Sequence, residues 1–172
     1  MKSLTTLGFM LALLLPATAI AAATPTDPQI AHIAYTAGEI DISVGKLAIT
    51  KAKSPAVRAF AEEMVRDHAA VNEQALALVR KLGVTPEDNS TSQGLVKAAI
   101  AERAKLAGLS GVAFDRAYVA NEIAYHGAVN GALSDVLIPN ANNGELKSLL
   151  QTGLKLFSEH QAHAEHLAGQ IK

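Results

Sequence analysis

The sequence of 172 residues contains neither cysteine nor tryptophan. The lack of cysteine excludes disulfide bonds, thiolate metal ligands, cysteine nucleophiles and a lipoprotein anchor. Aromatic residues make up 4% of the chain, and the formal net charge is −1. Because no basic patch with interleaved aromatics is present, the chain does not indicate a nucleic-acid partner or an anionic membrane surface. A glycine-rich phosphate loop and a serine–histidine–acid order are also absent, so two common enzyme patterns are missing.

The N-terminal residues have the pattern of an export signal. Lys2 supplies a positive start, the apolar stretch "LTTLGFMLALLL" follows it, and Pro16 ends that stretch. The segment "ATAIA" then offers small residues spaced for cleavage after Ala21 or Ala23. The apolar stretch is short for a membrane anchor, which needs about 20 residues. We therefore predict a cleaved signal peptide at 1–21 and one exported, periplasmic domain at 22–172 with no further membrane span.

Apolar residues at alternating steps of three and four predict helices along the remaining chain. We expect Asp27 to cap the first helix, and Ser54 with Pro55 to open the second. No segment alternates like a strand, so the predicted fold class is all-α. The expected helices span about 27–53, 55–82, 95–106, 112–138 and 145–171.

The lengths of these helices and of their connections predict the architecture. Four of them have roughly 27 residues, which is about 40 Å each. Tight turns join the first to the second and the last two to each other, so each pair is antiparallel. The long connection between the pairs carries the remaining helix. This order predicts a ferritin-like four-helix bundle with a short extra helix in the crossover, an architecture that by itself indicates no function.

Several polar side chains interrupt the apolar stripes of the predicted helices, where burial without a partner costs a few kcal/mol. Asp41 lies 13 residues before Ser54 and His68 lies 14 after it, so the two are level in antiparallel helices. Glu122 and His160 each lie 19 residues from Ala141 in the second turn, and are level as well. With His126 one turn from Glu122 and His163 beside the last stripe, the candidate metal ligands are Asp41, His68, Glu122, His126, His160 and His163.

Imidazole and carboxylate groups from facing helices are how bundles build metal sites. We predict one transition-metal ion, zinc, copper or iron, as cofactor and partner, and no catalytic residue. A di-iron centre is disfavoured because the Glu-x-x-His motif is missing: Val65 stands three residues before His68 and Phe157 three before His160. The fourth helix also carries Asp115 on its stripe, about 10 Å along the axis from Glu122. We expect this carboxylate to face the helix dipole in the first turn.

Two other hypotheses remain open. In the first, the domain is a metal-free periplasmic interaction or structural module, whose buried pairs Asp41–His68 and Glu122–His160 fix the helix register. In the second, a redox enzyme uses Tyr118 or Tyr125 near a metal. A homo-oligomer and an envelope protein partner are compatible with all three hypotheses.

Three stretches resemble a known family. "GEIDISVGKLAITKAKSPAVRAFAEEMVRDHAAVN", "LSGVAFDRAYVANEIAYH" and "EHQAHA" are similar to the opening, middle and closing motifs of the bacterial exported family called domain of unknown function 4142. The resemblance covers almost the whole mature chain and implies a ferritin-like bundle in the periplasm or envelope. It also implies that Asp41, His68, His126 and His160 stand at the family's polar positions, with Asp41 in place of a glutamate. It implies no activity.

The segment "EHQAHAEH" places three histidines at steps of three residues. His160 lies on the stripe of the last helix and His163 beside it, as a second ligand or a supporting group. His166 is rotated well over 90° from the centre of the stripe and is expected to be solvated.

Overall fold

The computed structural model describes residues 24–171, and the predicted signal peptide therefore lies outside the described residues. All regular structure in that range is helical, as predicted. A π-helical turn at Leu133–Leu137 follows the fourth helix. The helices are α1 Asp27–Lys51, α2 Pro55–Leu82, α3 Ser90–Ala107, α4 Gly111–Ala132, α5 Ile138–Asn140 and α6 Gly144–Ala168. None of the helices within 24–171 has an apolar stretch long enough to span a bilayer.

The helices form a ferritin-like four-helix bundle, which confirms the predicted architecture. The turn after α1 reverses the chain into α2, and α3 then returns alongside α1. The amide of Glu87 bonds to the carbonyl of Pro28 at the start of α1, and Lys51 at its end bonds to the carbonyl of Ala107. The crossover thus carries the chain along the full bundle, and α2 and α4 run parallel. Around the bundle the order is α1, α2, α6 and α4, and each neighbour is antiparallel.

The first and third helices begin differently from the sequence prediction. Thr26, and not Asp27, is the N-cap of α1, because the side chain of Gln29 returns to the Thr26 amide and closes the turn. The carboxylate of Asp27 instead accepts the backbone N–H groups of Asn142 and Asn143, both at 2.8 Å. It thereby ties the start of α1 to the turn before α6.

The crossover helix α3 is longer than predicted, and it has 18 residues. It begins at Ser90 because the side chain of Asn89 accepts the amides of Thr91 and Ser92, each at 3.1 Å. This polar capping segment precedes the first apolar residue of the helix, so the apolar periodicity did not detect it.

The π-helical turn changes which side chains of the fourth helix face the interior. The amide of Ile138 bonds to the carbonyl of Leu133, five residues back, and Pro139 follows without an N–H of its own. The additional residue in this turn rotates the side chains that come after it. Val136 continues the regular apolar spacing of the sequence after Val129 and Leu133, but it is 43% exposed, and Leu137 is buried in its place.

Asp115 does not face the dipole of its own helix as expected. It is buried, and its two carboxylate oxygens accept the backbone N–H groups of Lys53 and Ser54 at 3.0 and 2.9 Å. The side chain therefore holds the turn that leads into α2. Since α4 begins at Gly111, Asp115 lies past the first turn, where the dipole of its own helix is no longer felt.

The apolar core consists of two clusters with a polar layer between them. One cluster, near the α1–α2 turn, includes Phe60, Met64 and Tyr118. The other, at the opposite end of the bundle, includes Ile30 and Leu150. On each of the four long helices, buried polar residues stand between the positions that feed the two clusters, and Asp115 is a further buried polar residue within the first cluster.

Candidate metal centre

Five polar side chains from all four long helices make up the layer between the two apolar clusters. Asp41 comes from α1, His68 from α2, Glu122 and His126 from α4, and His160 from α6. Each is between 1% and 3% exposed. Side chains of this kind are rarely buried to such an extent without partners, so the contacts within the layer decide its chemistry.

Two glycines let α1 approach α2 closely on either side of Asp41. A Cβ atom at Gly45 would stand 2.8 Å from Cγ2 of Val65, and one at Gly38 would stand 2.3 Å from the side-chain oxygen of Asn72. Neither space is available to a larger residue without a shift of the neighbouring helix. This close approach allows the short carboxylate of Asp41 to reach the imidazole of His68.

Three ligand atoms converge at the centre of the layer. Oδ2 of Asp41 lies 2.9 Å from Nε2 of His68 and 3.4 Å from Nε2 of His126. The two Nε2 atoms lie 3.4 Å from each other. Two ligand atoms bound at about 2.0–2.1 Å to one tetrahedral ion are separated by about 3.4 Å. The spacing of the three atoms therefore fits a first-row transition-metal ion.

The tautomer of His126 supports the same arrangement. Its Nδ1 lies 3.0 Å from the backbone carbonyl oxygen of Glu122. Because a carbonyl only accepts, Nδ1 carries the proton and Nε2 presents its lone pair towards Asp41 and His68. A backbone carbonyl that fixes the far nitrogen of an imidazole is the usual support of a metal-binding histidine.

His160 and Glu122 complete the layer on either side of this triad. One ring nitrogen of His160 lies within 4.8 Å of ring nitrogens of His68 and His126, and one carboxylate oxygen of Glu122 is equally close to ligand atoms of Asp41 and His126. Oε2 of Glu122 is 3.6 Å from Nδ1 of His126. The ring of His68 also stacks on Phe157, with centroids 4.4 Å apart, which holds the imidazole in its orientation.

Burial acts on the ionisable groups of the layer in different ways. Burial raises the pKa of Asp41, but the contact with His68 and the weaker electrostatic interactions with His126 and His160 outweigh it, and the pKa lies below its usual value. Burial and the neighbouring Asp41 charge raise the pKa of Glu122 well above its usual value, which favours the protonated form. Burial lowers the pKa of His126 to about 4 and also lowers that of His160. Neutral imidazoles and one carboxylate are the protonation state that metal binding requires.

Several buried atoms of the layer have no hydrogen-bond partner among the described residues. They include both carboxylate oxygens of Asp41, because the contact with His68 is short but poorly directed for a hydrogen bond. A buried carboxylate without donors costs several kcal/mol. A cation in the layer would supply the missing charge and the missing bonds. The other atoms without a partner are Nδ1 of His68, Nδ1 of His160 and Oε2 of Glu122.

The structure brings five of the six candidate residues together and leaves His163 outside. His163 is 46% exposed, and its Nδ1 pairs with Oε2 of Glu63 at 2.9 Å. The expected pair Asp41–His68 is present, but Glu122 does not pair with His160 as expected. His160 turns its Nε2 towards Oδ2 of Asp67 at 3.2 Å. Equal depth along the bundle did not fix the direction in which each side chain points.

Asp67 and Glu63 are the polar partners of His160 and His163, and the apolar stripes of the sequence did not predict them. Both lie on the flank of α2 that faces α6, away from the centre of its apolar stripe. The neighbouring residues Asp67 and His68 form the D-H pair of the family motif, and this pair was the available signal.

The two tyrosines considered for redox chemistry lie near the layer. Tyr118 is fully buried between Phe60 and Phe114, and its hydroxyl has no partner among the described residues. Tyr125 donates its hydroxyl to the carbonyl of Ala37 at 2.8 Å. Burial raises the pKa of both phenols, so both stay protonated at neutral pH.

An apolar cavity of about 170 Å³ adjoins the layer on the side of the α3 crossover start. His68, His126 and Phe157 form part of its wall, and aliphatic side chains from all four long helices, such as Ile33 and Leu150, form most of the rest. A cavity with such walls does not stabilise a hydrated cation.

Comparison with known proteins supports the fold. The chain matches the family model described as domain of unknown function DUF4142 over residues 13–167. No match is found among curated proteins. The chain is similar to the crystal structure of a DUF305 protein of Streptomyces coelicolor, proposed to be secreted, with a TM-score of 0.71 and 12% identity over 84% of this chain and 93% of that one. It is also similar to CopM in the Cu(II)-bound form, with a TM-score of 0.64 and 17% identity over 86% of this chain and 100% of CopM.

Proposed function

We propose that this chain, which belongs to the DUF4142 family, is an exported periplasmic protein that holds one transition-metal ion inside a four-helix bundle. The observation that carries the proposal is the convergence of Asp41 Oδ2, His68 Nε2 and His126 Nε2, at separations of 2.9, 3.4 and 3.4 Å. His160 and Glu122 stand close enough to complete the coordination. The ion would neutralise the buried charge of Asp41.

Imidazole and carboxylate donors suit zinc, copper and iron, so the ligands alone do not select one of them. The structural likeness to Cu(II)-bound CopM makes copper the first ion to test. The site has no Glu-x-x-His pair, which does not favour a di-iron centre.

The proposed role is metal handling or protection of the envelope against metal stress. Every donor of the layer is at most 3% exposed, so a bound ion would be shielded from solvent and from reducing or chelating molecules. Catalytic metal sites keep an open position for water or substrate. Sealed ligation fits storage, buffering or delivery better than turnover.

The decisive experiment is metal analysis of the mature protein, purified from the periplasm without an affinity tag. We expect close to one equivalent of metal in the buried centre, or its restoration when the metal-free protein is titrated with Cu(II), Zn(II) or Fe(II). His68→Leu should remove this binding, whereas His166→Gln, on the exposed side of α6, should not. A chain that binds none of the three ions in the layer would refute the proposal.

The metal-free alternative is supported by one observation, the 2.9 Å approach of Asp41 to His68. In that function the domain is a periplasmic interaction or structural module, and the buried pair fixes the register of α1 against α2. Chelation distinguishes the two functions. Removal of metal should leave the unfolding temperature unchanged in the module, and should lower it if the layer holds an ion.

A further inference from the structure

We infer that Glu63, Asp67 and His163 form a second, outer metal site on the α2–α6 face, and that this site passes cations to the buried layer through His160. The transfer step rests on the proposed function, whereas the outer site stands on its own contacts. The name outer site refers below to Glu63, Asp67 and His163.

The two carboxylates of the outer site lie close to His160, which belongs to the layer. One ligand atom each of Glu63, Asp67 and His160 lie within 4.8 Å of one another. His163 extends the group, because its Nδ1 is 2.9 Å from Glu63 Oε2. His160 belongs to this group and also to the buried group with His68 and His126. The two sets of ligands are therefore continuous.

Exposure falls in steps from the surface to the layer. The side chain of His163 is 46% exposed, that of Glu63 31%, that of Asp67 18% and that of His160 2%. A cation that enters a sealed centre must lose its water in stages, and each stage needs a protein ligand in place of the water. The graded series supplies an oxygen or nitrogen donor at every depth.

Two other directions into the layer, along the bundle axis and through the cavity, have mostly apolar walls among the described residues. Apolar clusters close the bundle on both sides of the layer along its axis. The 170 Å³ cavity has aliphatic walls and would expose a cation to the cost of dehydration without compensation. The α2–α6 face is the side on which two carboxylates line the way to a buried imidazole.

Asp67 offers a carboxylate that links an exposed partner to a buried one. Arg66 contacts Oδ1 at 2.7 Å, and Oδ2 faces His160. The Arg66 side chain is largely solvent-exposed, so it can move away when a cation binds.

The experiment compares Cu(II) binding by the full mature chain and four variants. Glu63→Gln combined with Asp67→Asn removes the charge of the outer site and keeps its shape. His163→Gln removes the outermost donor. Glu62→Gln is the matched control, since Glu62 is an exposed carboxylate next to Glu63 on the same helix. His68→Leu removes the buried centre alone. The unfolding temperature of each metal-free variant confirms that it folds.

We expect two Cu(II) equivalents in the wild type and in Glu62→Gln. The double variant should bind one, with the electron paramagnetic resonance signal of the buried centre unchanged. Stopped-flow mixing of metal-free protein with Cu(II) should show the buried centre filling at least about tenfold more slowly in the double variant, because carboxylates at the mouth raise the local cation concentration. His163→Gln should slow the filling to a smaller extent.

Two results would overturn the inference. One is a double variant that matches Glu62→Gln in stoichiometry and in rate of filling. The other is a loss of affinity at the buried centre with an unchanged rate, because Asp67 would then only orient His160. If instead His68→Leu binds as much Cu(II) as the wild type while the double variant binds less, the outer site stands and the buried centre of the proposed function fails.

Discussion

The Nε2 atoms of His68 and His126 lie 3.4 Å apart, although their helices α2 and α4 are diagonal to each other in the bundle. His126 keeps its proton on the far nitrogen, Nδ1, which donates a hydrogen bond to the carbonyl of Glu122. The Asp41 carboxylate, which only accepts, stands beside both rings. In the metal-free layer the donors near this group of three atoms are the N–H of His68 and the carboxyl of Glu122, whose protonated form burial favours. A cation satisfies all three at once, and the layer is therefore sensitive to each of its members.

His68→Ala and His68→Leu should separate metal binding from stability. Both remove a ligand, and we expect each to lower the affinity for the bound ion by more than about 100-fold, beyond the usual effect of a supporting group. His68→Leu should fold, but it removes the main partner of the buried Asp41 carboxylate, and we expect a loss of about 3–5 kcal/mol relative to the metal-free wild type. His68→Ala should lose about 2–4 kcal/mol more, because it also leaves a cavity beside Phe157.

Titration calorimetry and urea unfolding measure the two effects. Wild-type affinity in His68→Leu would show that the ion binds elsewhere, and the layer would then be a metal-free network.

The metal-free protein should lose stability as the pH falls from about 6.5 to about 4. Burial lowers the pKa of His126 in the folded state to about 4 from an ordinary value of 6.5. Above pH 6.5 the imidazole is neutral in the folded and the unfolded protein. As the pH falls from 6.5 to about 4, the unfolded chain takes up a proton that the folded protein does not, and the folded state loses stability. This shift corresponds to about 3 kcal/mol at His126. His160, whose pKa is also lowered by burial, acts in the same direction.

Glu122 acts in the opposite direction over part of this range, because its folded-state pKa is raised and its contribution grows as the pH falls. The comparison is therefore between the wild type and His126→Leu, each unfolded by urea at several pH values. The wild type should show the steeper loss of stability in acid. Parallel curves for the two proteins would contradict the protonation states assigned to the layer.

Gly45→Ala should weaken both the bundle and the metal site. The new Cβ would meet Val65 at 2.8 Å and the carbonyl of Ala61 at 3.3 Å, so α1 must move away from α2. We expect a loss of about 1–3 kcal/mol and a lower metal affinity, since Asp41 would no longer reach His68. Gly131→Ala is the control, because nothing lies within 4 Å of its added Cβ. That variant should gain about 0.5–1 kcal/mol from helix propensity. Equal stability changes in the two variants would show that the close approach of α1 and α2 is unimportant.

The architecture followed from the sequence because apolar periodicity and turn residues act locally. Ser54 and Pro55 open α2 as expected, and the predicted long crossover with its own helix is present. The π-helical turn was missed because the apolar pattern of the fourth helix remained regular through Leu133. A single additional residue in the turn then exchanged the positions of Val136 and Leu137.

The sequence also predicted the level of each polar residue along the bundle axis, but it did not predict the direction in which the side chain points. Counting from the turns placed Asp41 level with His68, and the two touch. The same counting placed Glu122 level with His160, yet His160 turns to Asp67 on the neighbouring helix. The rotamer of a long side chain depends on partners from several helices, and a stripe drawn along one helix does not contain them.

The mature protein should begin at Ala22, or at Thr24 if cleavage follows Ala23. Signal peptidases cut after small residues that follow an apolar stretch, and "ATAIA" provides them. Intact-mass spectrometry of the protein released from the periplasm measures the start directly. A full-length species that stays with the membrane fraction would contradict the predicted export.

The three histidines of "EHQAHAEH" should have three different roles. His160 is 2% exposed and lies in the layer, so His160→Ala should cause the greatest loss of affinity for the ion, on the order of 100-fold or more. His163 contacts Glu63 at the surface, so His163→Ala should change the rate of filling more than the final affinity. His166 is exposed and its ring lies 2.7 Å from the side-chain amide of Gln170, away from the layer, so His166→Ala should change neither. Metal titration, stopped-flow filling and the NMR signals of the three imidazoles give the comparison. Equal losses in all three variants would mean that a local chelate at the end of α6 binds the metal, and the ion would then not lie in the layer.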